Sequence, residues 1–259
     1  MCLILLNYKR NSRYPLIIAA NRDEFYDRSA KQAHFWEDCP NILAGRDNSA
    51  GGTWMGVGKN GRIAMLTNFR APEDVRDTEK SRGELTAAFL SGNSKAADYL
   101  TGLRKSRHEY NGYNIIFGTV KSLHYYSNKS DTYQCLSPGV YGLCNHFLDT
   151  PWWKVQRAKQ RFEILTSLHN SHSGNISISE LFMLLKDNTK SPDSQLPDTG
   201  IPKIFEKELS SIFVRMAEYG TRASTLCIYD REDTISYYER SFGKDGKIIS
   251  DLDFFIHLV

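Results

Sequence analysis

"LIIAANRDEF", residues 16–25, runs five apolar or small residues into four consecutive polar ones, Asn21-Arg22-Asp23-Glu24. The run is continuous rather than alternating, and so is "CLILLNY" at 2–8. Apolar runs of this kind suit strands covered on both faces. The segment between them, "KRNSRY", is a polar turn. Residues 2–8 and 15–21 are therefore expected to pair as an antiparallel hairpin. The end of its second strand then lies beside the start of its first, so the charged cluster faces Cys2.

Further elements follow from pattern. "GGTWMGVGKNGRIAMLTNFR" (51–70) predicts a hairpin turning at Lys59-Asn60-Gly61. "SRGE" at 81–84 is a capping box that opens a helix to about Leu90. A second helix is expected from Ser94 to about Lys105, then strands at about 113–119, 123–127 and 139–144. Thr150-Pro151 is an N-cap with proline at the first helical position. It predicts a helix to about Leu168 with Val155, Ala158, Phe162 and Leu165 on one stripe. A shorter helix is expected at about 179–186, a proline-bearing loop or lid at 187–203, and strands at about 224–229, 234–240 and 253–258. Strands, helices, strands, helices, strands in that order predict an α+β protein: a four-layer αββα sandwich in one domain over 1–259. Two separate α+β domains are the alternative.

The 259 residues are 41% hydrophobic and 24% charged, enough for a sizeable core. A net charge of +3 is too small for the footprint of a nucleic-acid binder. The five cysteines are odd in number and contain no CxxC pair, which argues against a disulfide framework or zinc knuckle. The seven histidines show no metal spacing. "CLILL" is too short for a signal peptide or a membrane span. A reducing, cytoplasmic setting without an integral membrane segment is expected.

Removal of Met1 would leave a thiol and a free α-amine on Cys2. The amine, with an ordinary pKa of about 7.7–8.0, is a plausible base for its own thiol. Arg22 is the candidate cation for lowering the thiol pKa, and Asp23 the carboxylate to orient the amine. Asn68 and Asn145, at predicted strand ends, are candidate oxyanion donors, and Arg222 a second cation. Each has an ordinary reading by itself: a small buried hydrophobe, a structural ion pair, turn residues.

Taken in order, "MCLILLNY", "LIIAANRDEFYDRSA", "GGTWMGV", "LTNFR", "RGEL", "YNGYNII", "YGLCN", "TPWWKV", "YGTRASTL" and "ERSF" resemble the NRDE family of the transport-and-Golgi-organisation type, from residue 2 to about 242. The resemblance implies an N-terminal-nucleophile (Ntn) hydrolase-like αββα fold and kinship with cholylglycine hydrolases and penicillin V acylases. Cys2 matches their nucleophile, Arg22 and Asp23 the pair after the second strand, Asn145 an oxyanion-side asparagine and Arg222 a late arginine. Asn68 matches more loosely. Asn21 and Glu24 belong to the signature without an assigned chemical role.

The resemblance also implies a pocket for a large amphipathic anion. Its candidate ligand-binding residues are Asn21, Arg22, Asp23, Glu24, Trp54, Arg70 and Trp152, with Trp36, Met55, Phe69 and Trp153 as further walls. Haem carriage, with delivery to haem-accepting proteins, is the first functional expectation. Cys2, Met55, His34 and His146 are its candidate axial ligands. The alternatives are an Ntn-type amidase or thioesterase using Cys2 without a required cofactor, and acyl-CoA binding.

Overall fold

The structure is a computed structural model, described for residues 2–76, 80–167 and 175–258. Met1, and Leu168 at the end of the expected long helix, lie outside the described residues. In chain order the strands are β1 (Cys2–Tyr8), β2 (Leu16–Phe25), β3 (Ala30–Phe35), β4 (Ile42–Asp47), β5 (Met55–Gly58) and β6 (Arg62–Asn68). Helices α1 (Gly83–Ser91) and α2 (Ala96–Lys105) follow, then β7 (Tyr113–Thr119), β8 (Ser122–Ser127), β9 (Thr132–Cys135) and β10 (Gly139–Leu143). The rest is α3 (Trp153–Ser167), α4 (Ile178–Leu185), α5 (Lys203–Glu208), β11 (Tyr219–Tyr229), β12 (Thr234–Phe242) and β13 (Ile248–His257). No helix among the described residues is long and apolar enough to cross a membrane.

The chain forms two compact units. Of the described residues, unit 1 comprises 2–27, 137–144, 148–167 and 175–257. Its antiparallel six-stranded sheet has the order β10-β1-β2-β11-β12-β13. The expected hairpin is present, but β2 runs through the polar cluster to Phe25 because β11 pairs with it that far, Tyr219 opposite Phe25. Helix α3 lies over β10 and β1, and α4 over β11 and β2. Leu3, Leu5, Ile17, Ala19, Leu226 and Ile228 pack against Val155, Ala158 and Phe162 of α3 and Leu181 and Leu185 of α4. The predicted helical stripe thus supplies the core. Side chains alternate along a strand, so Cys2, Ile4 and Leu6 of β1, and Ile18, Ala20 and Arg22 of β2, take the face away from these helices.

Of the described residues, unit 2 comprises 28–76, 80–136, 145–147 and 258. Its seven strands lie in chain order from β3 to β9, with α1 over β4–β7. The hairpin predicted at 59–61 is β5–β6, with Gly61 at φ 75°. Helix α1 starts near its predicted place, but backbone bonds from Glu84 N to Ser81 O and Leu85 N to Arg82 O, both 3.1 Å, close its first turn in place of a side-chain cap. Strands β3, β4 and β9 were not expected: β3 is half polar with one buried residue and β9 is wholly exposed, so neither shows a buried-strand pattern.

Gly118, at φ 146° in β7, turns its back on β8: a Cβ there would stand 2.0 Å from the Ser122 carbonyl oxygen. Gly118→Ala is expected to destabilise the chain by about 3 kcal/mol through strain and backbone clash. Urea unfolding checks this; a shift below about 1 kcal/mol would refute it.

Candidate functional site

Cys2 stands directly opposite Arg22 in the β1–β2 ladder, and paired residues share a face. Cys2 as a residue is partly buried, and Arg22 is buried at 6% exposure. Glu24, two residues along the same face, is 3.7 Å from Arg22 Nη2 and accepts from Phe25 N at 3.0 Å. Burial pushes the Cys2 thiol above its ordinary value; the Asp23 backbone N–H, hydrogen-bonded to it, and the Arg22 guanidinium pull in the opposite direction. A thiol raised in this way stays largely protonated at neutral pH and needs a base beside it to become a nucleophile.

Asp23 is one step further along β2, where the Cys2 backbone nitrogen leaves its strand, and its side chain turns to the helix face. Thr221 Oγ1 donates to Asp23 Oδ1 at 2.6 Å, and Tyr219 OH to the Asp23 carbonyl at 2.9 Å. Asn21 shares that face. Its Nδ2 donates to the Leu185 and Ile212 carbonyls at 2.8 and 2.9 Å, and its Oδ1 accepts from Ser224 Oγ at 2.6 Å. The Asn21 amide is thereby built into the frame of the unit, on the opposite face from the thiol.

A β-bulge makes this possible. The β11–β2 register shifts between Thr221 and Ala223, leaving Arg222 as the extra residue. Three positions apart, Thr221 and Ser224 would take opposite faces of a regular strand; the inserted residue puts both on the helix face. Arg222 is bulged aside, and its Nη1 donates to the Phe25 and Tyr26 carbonyls at 2.8 and 3.2 Å.

The segment 209–214 straps these groups together. Val214 N donates to Thr221 Oγ1 at 2.9 Å, and buried Lys154 donates to Leu209 O and Ser211 O at 2.9 and 3.4 Å. Burial raises the Asp23 carboxyl, while Lys154, the Thr221 hydrogen bond and Arg22 hold it down. A carboxyl raised on folding loses stability as pH climbs from its unfolded value through its folded one. Lys154→Met removes a countercharge and two donors. It is expected to cost about 3 kcal/mol at pH 7 and visibly less at about pH 5, where Asp23 can take up a proton. Equal losses at both pH values, in urea titrations, would separate Lys154 from Asp23.

The remaining predicted residues are distributed as follows. In unit 2, Asn145 is buried, its Nδ2 donates to Asn68 O at 2.8 Å and its carbonyl accepts from Arg70 N at 2.7 Å. The two asparagines are thus joined at the end of β6. Phe69 between them packs on His146 and Phe147, each 4.9 Å away, and burial lowers the His146 pKa. The Trp54 ring covers Gly45, and Trp36 Nε1 donates to Ala44 O at 3.1 Å inside the helix-side core. Met55 is buried, and His34 Nδ1 lies 2.7 Å from the Gln32 carbonyl. In unit 1, Trp152 packs against the core under α3 and α4. Among the described residues no group of three or more His, Cys, Asp or Glu is placed to hold a metal. The loop at 187–203 is tied down: Ser191 N donates to Ser210 Oγ at 2.9 Å, and Thr199 N to the buried Glu206 carboxylate at 3.0 Å. Thr221, Ser224 and Lys154 were not singled out in the sequence, where they read as strand and helix residues.

Two mutant forms of the conjugated bile acid hydrolase from Clostridium perfringens resemble this chain with TM-scores of 0.51 and 0.52. At 11% and 10% identity, over 98% of this chain and 92% of theirs, they show the fold alone. It is α+β and Ntn-hydrolase-like, as the motifs implied. In sequence the chain is 34% identical to the "Transport and Golgi organization 2 homolog" of Mus musculus over 258 residues, 93% of each chain. It is 34% identical to the corresponding homolog of Homo sapiens over the same share of each chain. It is 27% identical to "Transport and Golgi organization protein 2" of Drosophila melanogaster, over 93% of this chain and 92% of that one. The family description "Transport and Golgi organisation 2" matches residues 1–244, and the chain belongs to that family.

Proposed function

We propose that the chain is a cysteine hydrolase of the N-terminal-nucleophile type, acting on an amide or thioester after Met1 is removed. The observation that carries this reading is the register of Cys2 opposite Arg22, with Asp23 held by Thr221 one step beyond. The exposed α-amine of Cys2 takes the thiol proton as Sγ attacks the acyl carbon. Arg22 stabilises the negative charge that develops, and Asp23 orients the resulting ammonium. Collapse breaks the C–N or C–S bond and the leaving group recovers the proton. Water, deprotonated by the same amine, then attacks the acyl-Cys2 thioester; the C–S bond breaks, the acid leaves, and Sγ takes the proton back from the ammonium.

The test is intact-mass spectrometry of the purified chain, first alone and then after brief exposure to decanoyl-CoA or decanoyl p-nitroanilide. Loss of one methionine mass and a transient decanoyl adduct on the Cys2 peptide are expected. Haem carriage, which the family resemblance put first, is the competing reading. A Soret band on haem addition and release of haem to apomyoglobin, with Met1 retained and no acyl adduct, would replace the hydrolase with it.

A further inference from the structure

The sheet of unit 1 continues past Cys2. Among the described residues the β1 pairing ends at Cys2 and Arg22, while β2 and β11 run on as a ribbon with Glu24 opposite Gly220 and Phe25 opposite Tyr219. On the other side of β11, a bridge places Arg215 opposite Gly220. Paired residues share a face, so Glu24, Gly220 and Arg215 form a row on the face that Cys2 and Arg22 occupy. That row is about 7 Å further out, two residues along the strand.

Gly220 has no side chain, and its space is filled. A Cβ on it would stand 2.2 Å from the Tyr26 hydroxyl. The Tyr26 phenol therefore lies over the sheet on the Cys2 side. Cations surround it. The Arg222 guanidinium is 5.9 Å from its ring centroid, and Lys244, from the turn between β12 and β13, is 5.6 Å away. Arg215 and Arg222 pull the phenol's titration down, against burial, the larger influence, and the charge of Asp23, which both raise it. Among the described residues neither Arg215 nor Lys244 has a carboxylate partner. The nearby acids are otherwise engaged or point to solvent. Glu24 pairs with Arg22 at 3.7 Å, Asp245 with Lys247 at 3.1 Å, and Glu218 is exposed.

We propose that Tyr26, Arg215, Arg222 and Lys244 form an anion-binding collar, which takes the carboxylate or phosphate of an acyl substrate whose carbonyl reaches Cys2. A phenol O–H and three convergent cations match an oxyanion in charge and donors. The glycine at 220 is what admits the phenol. The inference deepens the hydrolase reading and rests on it for the word substrate, but its test needs no turnover.

Binding of N-decanoyl-β-alanine, decyl phosphate and neutral N-decanoylethanolamine to the Cys2→Ala chain is measured by calorimetry in low salt. At least one anion is expected to bind about tenfold tighter than the neutral probe, and the stronger of the two identifies the headgroup. Arg215→Gln with Lys244→Gln is expected to weaken that anion about tenfold and the neutral probe less than twofold. Tyr26→Phe, which removes one donor only, is expected to weaken it three- to fivefold, and it decides the matter should the double variant fail to fold. Equal binding of all three probes, binding of none, or an anion preference untouched by the substitutions overturns the collar. An intact collar in a chain that forms no acyl-Cys2 adduct would overturn the hydrolase reading alone.

Discussion

A Cys2→Ala chain is expected to fold like its parent and to lose acyl-cleaving activity by at least about a thousandfold. The nucleophile is a single atom at the start of β1. The strand is held by Leu3, Ile4, Leu5 and Leu6, all buried, and by ladders to β2 and β10 on either side. Removing one sulfur from its end leaves those contacts in place, so the stability change is expected to stay within about 1 kcal/mol. Cys2→Ser is expected to fall between the parent and Cys2→Ala, because an N-terminal amine can also activate a hydroxyl, although a hydroxyl gives up its proton less readily than a thiol. Chain retaining Met1 should match Cys2→Ala, since its Cys2 nitrogen is then an amide. Turnover and urea unfolding on the same preparations check all three. Residual activity within tenfold of the parent in Cys2→Ala would assign the chemistry elsewhere.

Asn21→Ala is expected to lower stability by about 3–4 kcal/mol. Asn21 makes three buried hydrogen bonds, each worth about 1 kcal/mol net. Its loss also strands the Leu185 and Ile212 carbonyls and the Ser224 hydroxyl without the partner they have, and burial makes that costly. These bonds tie β2 to the end of α4 and to the 209–214 strap, so the damage falls on the support of Asp23. Asn21→Asp should be worse than Asn21→Ala at pH 7. It replaces two donors by acceptors and puts a second carboxylate beside the buried Asp23, whose own charge is already disfavoured by burial. The Asp variant should recover part of its loss as pH falls, and the Ala variant should not. A drop in the urea midpoint with unchanged slope is the expected signature. A shift under about 1 kcal/mol for Asn21→Ala would show that the pin is dispensable.

Much of the architecture was legible because it is local. Continuous apolar runs marked β1 and β2, Asn60-Gly61 marked the β5–β6 turn, and the Val155–Ala158–Phe162 stripe marked the buried face of α3. The meeting of Cys2 with Arg22 was legible too, since a hairpin's turn length sets its register. Strands β3 and β9 were not, because a ladder alone holds a half-polar or exposed strand and leaves no periodicity behind.

The candidate site divides along the same line. Its nucleophile, cation and carboxylate were readable as residues in sequence. Which face each takes was decided in three dimensions. Asn21 and Asp23 turn to the helices, while Cys2, Arg22 and Glu24 share the other side. Thr221 reaches Asp23, and Ser224 reaches Asn21, only because the strand is bulged at Arg222. Lys154 joins them through carbonyls of a strap more than fifty residues away in the chain. Alternation along one strand is a property of neighbouring residues and can be read from them. A bulge and a strap are set by what distant segments must bury and bond, and their positions exist only once those segments have met.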